Sequence, residues 1–126
     1  MAHIGARAAT EEEWRLSKDL GLVVTPGEAD GAEFLRRFKR FLSGFRQVYV
    51  SVDLDGLDPA YAPGVGTPEP GGLSTLTALK YVHALRESHV AAFDVVELCP
   101  AYDNGSTATL AARLMNELVA IASLRK

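Results

Sequence analysis

The 126-residue sequence has a single cysteine, Cys99. That excludes an intramolecular disulfide and a zinc site built from cysteines alone, and it suits a reducing, cytoplasmic setting. There is no surplus of positive charge: 13 basic residues stand against 16 acidic ones, a formal net charge of −3. Such a balance argues against nucleic acid as a partner and against adhesion to an anionic membrane. No apolar run approaches the ~18 residues that cross a bilayer. The opening MAHIGARAATEEEW has no apolar signal core, and its acidic run predicts no organelle transit peptide. Phosphate-cradling glycine loops are missing too, since neither G-x-G-x-x-G nor G-x-x-x-x-G-K-[ST] occurs. His3, His83 and His89 have no D-x-H or H-x-x-x-H partner and read as structural or surface residues. What is present is the composition of a folding chain, 48% hydrophobic and 23% charged, of a length expected for one domain.

Hydrophobic periodicity predicts an alternation of strands and helices. Residues 2–6 read as a short strand, entered as though the chain began inside a sheet. Thr10 and Glu13 form a capping box for a helix that stops near Gly21. Leu22–Thr25 is a β-branched strand. Asp30 and Glu33 repeat the capping pattern, ahead of a helix with Phe34, Phe38, Phe41, Leu42 and Phe45 on one face. Gln47–Leu54 is Val-rich and too short for a helix, so it predicts a buried strand. A Gly/Pro stretch follows. Ser74 then caps a helix with Leu76, Leu79 and Val82 turned inward. Val90–Leu98 predicts a second buried strand, closed by Pro100. A last helix starts near Thr107, with Leu110, Leu114, Leu118 and Ile121 at helical spacing. The order implies an α/β fold, a parallel β-sheet covered by helices on both faces. In such sheets ligands bind beyond the carboxyl ends of the strands, which directs attention to the loops after residues 54 and 98.

Asp53 and Asp55 stand at the end of VYVSVDLDGLDP. On a strand, residues two apart point the same way, so two carboxylates converge there. Their repulsion is relieved by a proton or a cation, and oxygen donors suit magnesium, calcium or manganese. An Asp-rich turn is the plainer alternative. The loop beyond carries five glycines and four prolines between Gly56 and Gly72, a composition that dictates a definite backbone path. Within it Thr67 can present a hydroxyl to the strand ends, unless the loop is only a rigid connector. Glu97 lies at the end of the next strand, in FDVVELCP, where a carboxylate can grip a cationic fork such as a guanidinium. Asp94 faces the other side of the strand and reads as structural. Cys99 and Trp14 read as packing residues.

These stretches are recognisable. SVDLDGLDPAYAPGVGTPEPGGL, residues 51–73, closely resembles the third metal-binding signature of the ureohydrolases, the arginase, agmatinase and formiminoglutamase family. DVVELCPAYD, residues 94–103, resembles the family's segment around its substrate-binding glutamate. IGARAATEEEW, residues 4–14, is similar to the strand and helix between the second and third signatures. The wording is most like that of agmatinases. The resemblance implies a binuclear manganese site at which a guanidino compound, agmatine first, is hydrolysed to urea and an amine. It implies that Asp53 bridges both metals, Asp55 binds one, Glu97 anchors the guanidinium and Thr67 lines its pocket. It also implies a homo-oligomer.

The family's earlier G-G-D-H and D-A-H-x-D segments are not found. Only two of the expected ligands are therefore present, and the catalytic acid/base histidine would lie in the missing part. Residues 1–126 are accordingly expected to be the C-terminal part of a ureohydrolase domain, weak in manganese binding and inactive alone. A non-catalytic module serving oligomerisation or binding is the alternative. An aspartate-nucleophile phosphatase also carries D-x-D-G after a strand, but it needs a downstream lysine and a further acidic pair. Lys80 falls mid-helix, and no such pair follows.

Overall fold

Every strand pairing in the computed structural model, which describes residues 1–124, is parallel. In chain order the elements are β1 (Ala2–Ile4), α1 (Glu11–Leu20), β2 (Leu22–Val24), a one-turn α2 (Pro26–Ala29), α3 (Ala32–Leu42), β3 (Val48–Asp53), α4 (Thr75–Ala84), β4 (Val90–Val96) and α5 (Ser106–Ala122). Short 3-10 turns occupy Leu54–Gly56, Leu85–Glu87 and Pro100–Tyr102. The α/β class and the parallel pairing agree with the sequence. The sheet does not form in one piece: β1 pairs only with β2, and β3 only with β4.

The helix ends show how the sequence sets the elements. At α1, Glu13 N–H donates to Thr10 Oγ1 at 3.3 Å and the Glu13 carboxylate takes the Thr10 N–H at 2.7 Å, the reciprocal box that the spacing predicts. The second capping signal is displaced. Thr25, not Asp30, opens the next helical turn: Glu28 accepts the Thr25 N–H at 2.9 Å, with Pro26 at the first helical position. Asp30 instead closes α2, and Gly31 precedes α3. Proline's fixed φ suits a helix start, which is why the turn begins five residues early. The Asp30 carboxylate accepts the Thr77 hydroxyl of α4.

One hydrophobic cluster runs through the chain. Val24, Leu54, Val65, Leu114 and Leu118 are fully buried within it. On α5, Leu114, Leu118 and Ile121 face inward and Leu110 is half-buried, as the spacing predicts. On α3, Phe38 and Leu42 are buried and Phe34 and Phe41 half-buried, but Phe45 lies beyond the helix and is exposed. The inward face of α4 is rotated from expectation. Thr77, Ala78, Tyr81 and Val82 are buried while Leu76 is 70% exposed. The Thr77 bond to Asp30 and the contact of Tyr81 with Phe38, ring centroids 5.2 Å apart, hold that orientation.

The strands β3 and β4 are not buried on both faces. Along β3, Val48, Val50 and Val52 are half-buried while Tyr49, Ser51 and Asp53 are exposed. This is the period-two alternation of a strand covered on one side. On β4, Ala91, Ala92 and Val96 are exposed.

Candidate functional site

β3 ends at Asp53 through that residue's own side chain. Asp53 Oδ1 accepts the Asp55 N–H at 2.9 Å and turns Leu54–Gly56 into a 3-10 turn. Asp55 therefore does not lie on the strand, and the alternation argument for the two acids is corrected. They are neighbours because one caps the turn that carries the other. Leu54, fully buried between them, anchors that turn in the core.

Asp55 is half-buried and its two oxygens differ. Oδ2 accepts the Thr67 hydroxyl, whereas Oδ1 is buried and has no hydrogen-bond partner among the described residues. Buried polar atoms are almost always paired. A bare carboxylate oxygen next to a second carboxylate is the chemistry of a site that takes a cation. Asp53 and Asp55 fit such an ion as part of a donor set. Among the described residues no group of three or more His, Cys, Asp or Glu side chains converges to complete it.

The loop that carries Thr67 is closed at its base. Leu73 N–H reaches Gly56 O at 3.0 Å, and Asp58 N–H reaches Leu73 O at 3.0 Å. The Asp58 carboxylate then takes backbone N–H groups from Ala60 at 2.9 Å, Gly71 at 2.7 Å and Gly72 at 3.2 Å. Those donors hold its pKa below the usual aspartate value. Gly72 is required there, since a Cβ would come within 2.4 Å of the Leu57 carbonyl carbon. The other arm of the loop is pinned by Thr107, at the start of α5, whose Oγ1 accepts the Gly64 N–H at 2.8 Å. Gly64 O in turn accepts the Cys99 N–H at 2.8 Å. That ties the loop to the chain just past β4.

Glu97 follows β4 immediately and has φ 67°, the only positive φ outside glycine among the described residues. The left-handed conformation is costly for a residue with a Cβ, and such outliers cluster at functional positions. It directs the carboxylate to the loop: a Cβ on Gly66 would lie 3.7 Å from Glu97 Oε2. Asp53, Asp55 and Thr67 are thus linked by hydrogen bonds, and Glu97 lies against the residue preceding Thr67. Asp94 is elsewhere, half-buried on the Tyr49 face of the sheet with no second carboxylate on its own turn, although its Oδ1 is likewise buried without a partner among the described residues. The carboxylate accepts the Tyr49 hydroxyl from β3, which lowers its pKa and raises that of the tyrosine.

The histidines stand apart from this group. His83 on α4 lies 3.0 Å from Glu117 on α5, and His89 precedes β4 at the opposite end of the strand. Cys99 is half-buried and free, not fully packed. Trp14 is also half-buried, on a helix with no buried residue. A groove of about 850 Å³ beside α1, lined by Trp14, Lys18, Thr25 and Arg37 among others, contains none of the four candidates. Sequence reasoning passed over Arg7, which reaches the loop from the carboxyl end of β1. A basic residue just past a strand, on the side where ligands bind, was the available signal.

A parallel α/β fold with a dicarboxylate turn and a glutamate at adjacent strand ends defines the class, and comparison with known proteins supplies the family. The Arginase family model matches residues 1–120, and the chain belongs to that family. It is 37% identical to a guanidinobutyrase of Pseudomonas aeruginosa over 96% of this chain and 40% of the relative. It is 40% identical to an agmatinase of Halalkalibacterium halodurans over 86% of this chain and 37% of the relative. The solved structure of proclavaminate amidino hydrolase from Streptomyces clavuligerus superposes with a TM-score of 0.85 at 35% identity, covering 97% of this chain and 42% of that one. The chain therefore spans about two-fifths of the length of these relatives.

Proposed function

We propose that this chain is the C-terminal part of a ureohydrolase domain and supplies its dicarboxylate and its substrate-anchoring glutamate, for hydrolysis of a small guanidino compound to urea and an amine. Agmatine is the first candidate substrate. The observation that carries the proposal is the buried, unpartnered Asp55 Oδ1 beside Asp53 at the end of β3. Asp53 and Asp55 hold manganese. Two such cations, when bound, supply an acidified water near neutral pH. Thr67 orients the Asp55 carboxylate through its hydroxyl. Glu97 receives the planar guanidinium through two carboxylate oxygens, a geometry that favours a fork over a point charge. The acid/base group that moves the proton to the leaving amine is not in this set. A cytoplasmic setting, which a lone thiol suits, is part of this proposal.

Titration of the purified chain with manganese, followed by the loss of the free-ion electron paramagnetic resonance signal, tests the dicarboxylate. Weak binding that Asp53→Asn and Asp55→Asn abolish is expected, and binding unaffected by both substitutions would overturn it. Incubation with manganese and agmatine is expected to release no urea above the enzyme-free control.

A second reading, a non-catalytic module that self-associates, is favoured by one observation. Tyr49, Val96 and Leu98 are 64%, 37% and 37% exposed on or beside the bare β3–β4 face. Light scattering after size exclusion tests it: a monomer with a cooperative melt counts against this reading.

A further inference from the structure

We propose that Arg7 is the positioning residue of the Asp53–Asp55 site, its guanidinium fixing the turn that carries Asp55 relative to the loop that carries Thr67. The proposal rests on the dicarboxylate binding a cation. Arg7 lies three residues past β1, on the sheet that has no backbone bond to β3. Its Nη2 donates to Asp55 O at 2.7 Å and to Glu69 O at 2.6 Å, with a longer contact to Leu57 O at 3.4 Å. Its Nε donates to the same Glu69 carbonyl at 3.1 Å.

Together these bonds close a circuit. From Arg7 it passes to the Asp55 backbone, out along that side chain to Oδ2, across to the Thr67 hydroxyl, and two residues along the loop to Glu69 O, which returns to Arg7. The Asp55 carboxylate is thereby held at both ends, its backbone by Arg7 and one oxygen by Thr67. What remains free is Oδ1, the unpaired oxygen. The bonds of Arg7 go to carbonyls and not to the acids, so the guanidinium shapes the site without occupying its donor atoms. A lysine would keep the charge, but it lacks the planar fork that spans two carbonyls and doubles on one of them.

The test compares the wild-type chain with Arg7→Lys, Arg7→Gln and Asp55→Asn. Amide hydrogen exchange is the first readout. The proposal expects the Asp55, Leu57 and Gly71 amides to exchange about tenfold faster in both Arg7 variants, with amides of α5 unchanged; unaltered exchange at the three positions overturns it. Manganese binding is the second. Loss of a group that orients a ligand typically weakens affinity about 10- to 100-fold, and at least a tenfold loss is expected in both variants. Wild-type affinity in Arg7→Lys shows that charge alone suffices and overturns the proposal. If the wild type binds no manganese, the dicarboxylate reading fails and the positioning role falls with it. If Asp55→Asn loses binding while both Arg7 variants keep it, only the role of Arg7 fails. Should Arg7→Gln not fold, Thr67→Val opens the same circuit at its other joint. It must then speed exchange of the same amides, and no change there also overturns the proposal.

Discussion

The Thr67 hydroxyl donates to Oδ2 of Asp55 while Oδ1 of the same carboxylate is buried without a partner. A ligand that binds only the folded chain stabilises it by an amount that grows with the logarithm of its concentration over Kd. Manganese is therefore expected to raise the melting temperature of the wild type, by an amount equivalent to about 2.7 kcal/mol at a hundredfold excess over Kd. Asp55→Asn is expected to show no such shift. Equal shifts in the two proteins, followed by differential scanning fluorimetry, would remove Asp55 from the site.

Glu97 has φ 67°. Glycine adopts that conformation without the clash of a Cβ, at some cost in unfolded-state entropy. Glu97→Gly is expected to leave stability unchanged or raise it by up to about 1 kcal/mol, while removing the proposed guanidinium anchor. Urea denaturation measures this, and a loss of stability would show that the Glu97 side chain holds the fold and is not held by it.

Thr107 is fully buried and accepts the Gly64 N–H. Valine has nearly the same shape but no acceptor. Thr107→Val leaves a buried N–H unpaired and is expected to cost about 1–3 kcal/mol. A denaturation midpoint equal to that of the wild type would mean that the amide finds another partner.

Asp58 is held below the usual aspartate range by the Ala60 and Gly71 N–H groups, which outweigh the opposing effect of desolvation. Because its folded pKa is the lower one, its contribution is complete above the unfolded value, about 3.9. It is lost as pH falls through the depressed folded value. Asp58→Asn is expected to flatten the decline in stability below about pH 4. Urea titrations across the acidic range compare the two slopes, and parallel curves would exclude Asp58 as the source.

Local signals were the most legible. Thr10 with Glu13 and the α5 stripe through Leu114, Leu118 and Ile121 are patterns within one or two turns, and they fold as written. The four candidate residues also lie at one end of the strands, because strand ends and a Gly/Pro loop can be read from sequence. The relation between Asp53 and Asp55 could not be read correctly, since an Asp that caps the next turn has the same spacing as two residues alternating on a strand. The start of α2 is marked in the sequence by Thr25-Pro26 with Glu28 three residues beyond Thr25, the same spacing that Asp30 and Glu33 offer. The alternation in VYVSVD is legible too, and it marks a strand covered on one face where the valine content alone predicts a buried one. The split into two sheets was not legible, because it depends on which strands become neighbours, and strand pairing leaves no local mark.

That split has a mechanical consequence. Two sheets whose strands do not pair are joined by side chains instead: the shared core, Asp30 with Thr77, Phe38 with Tyr81, and Arg7. Arg7, in the loop after β1, bonds carbonyls of the turn and loop that follow β3. Among the side chains that join the two halves, Arg7 is the one bonded to the backbone of Asp55. The dicarboxylate turn is thus one of the seams at which the two halves of the chain are fastened.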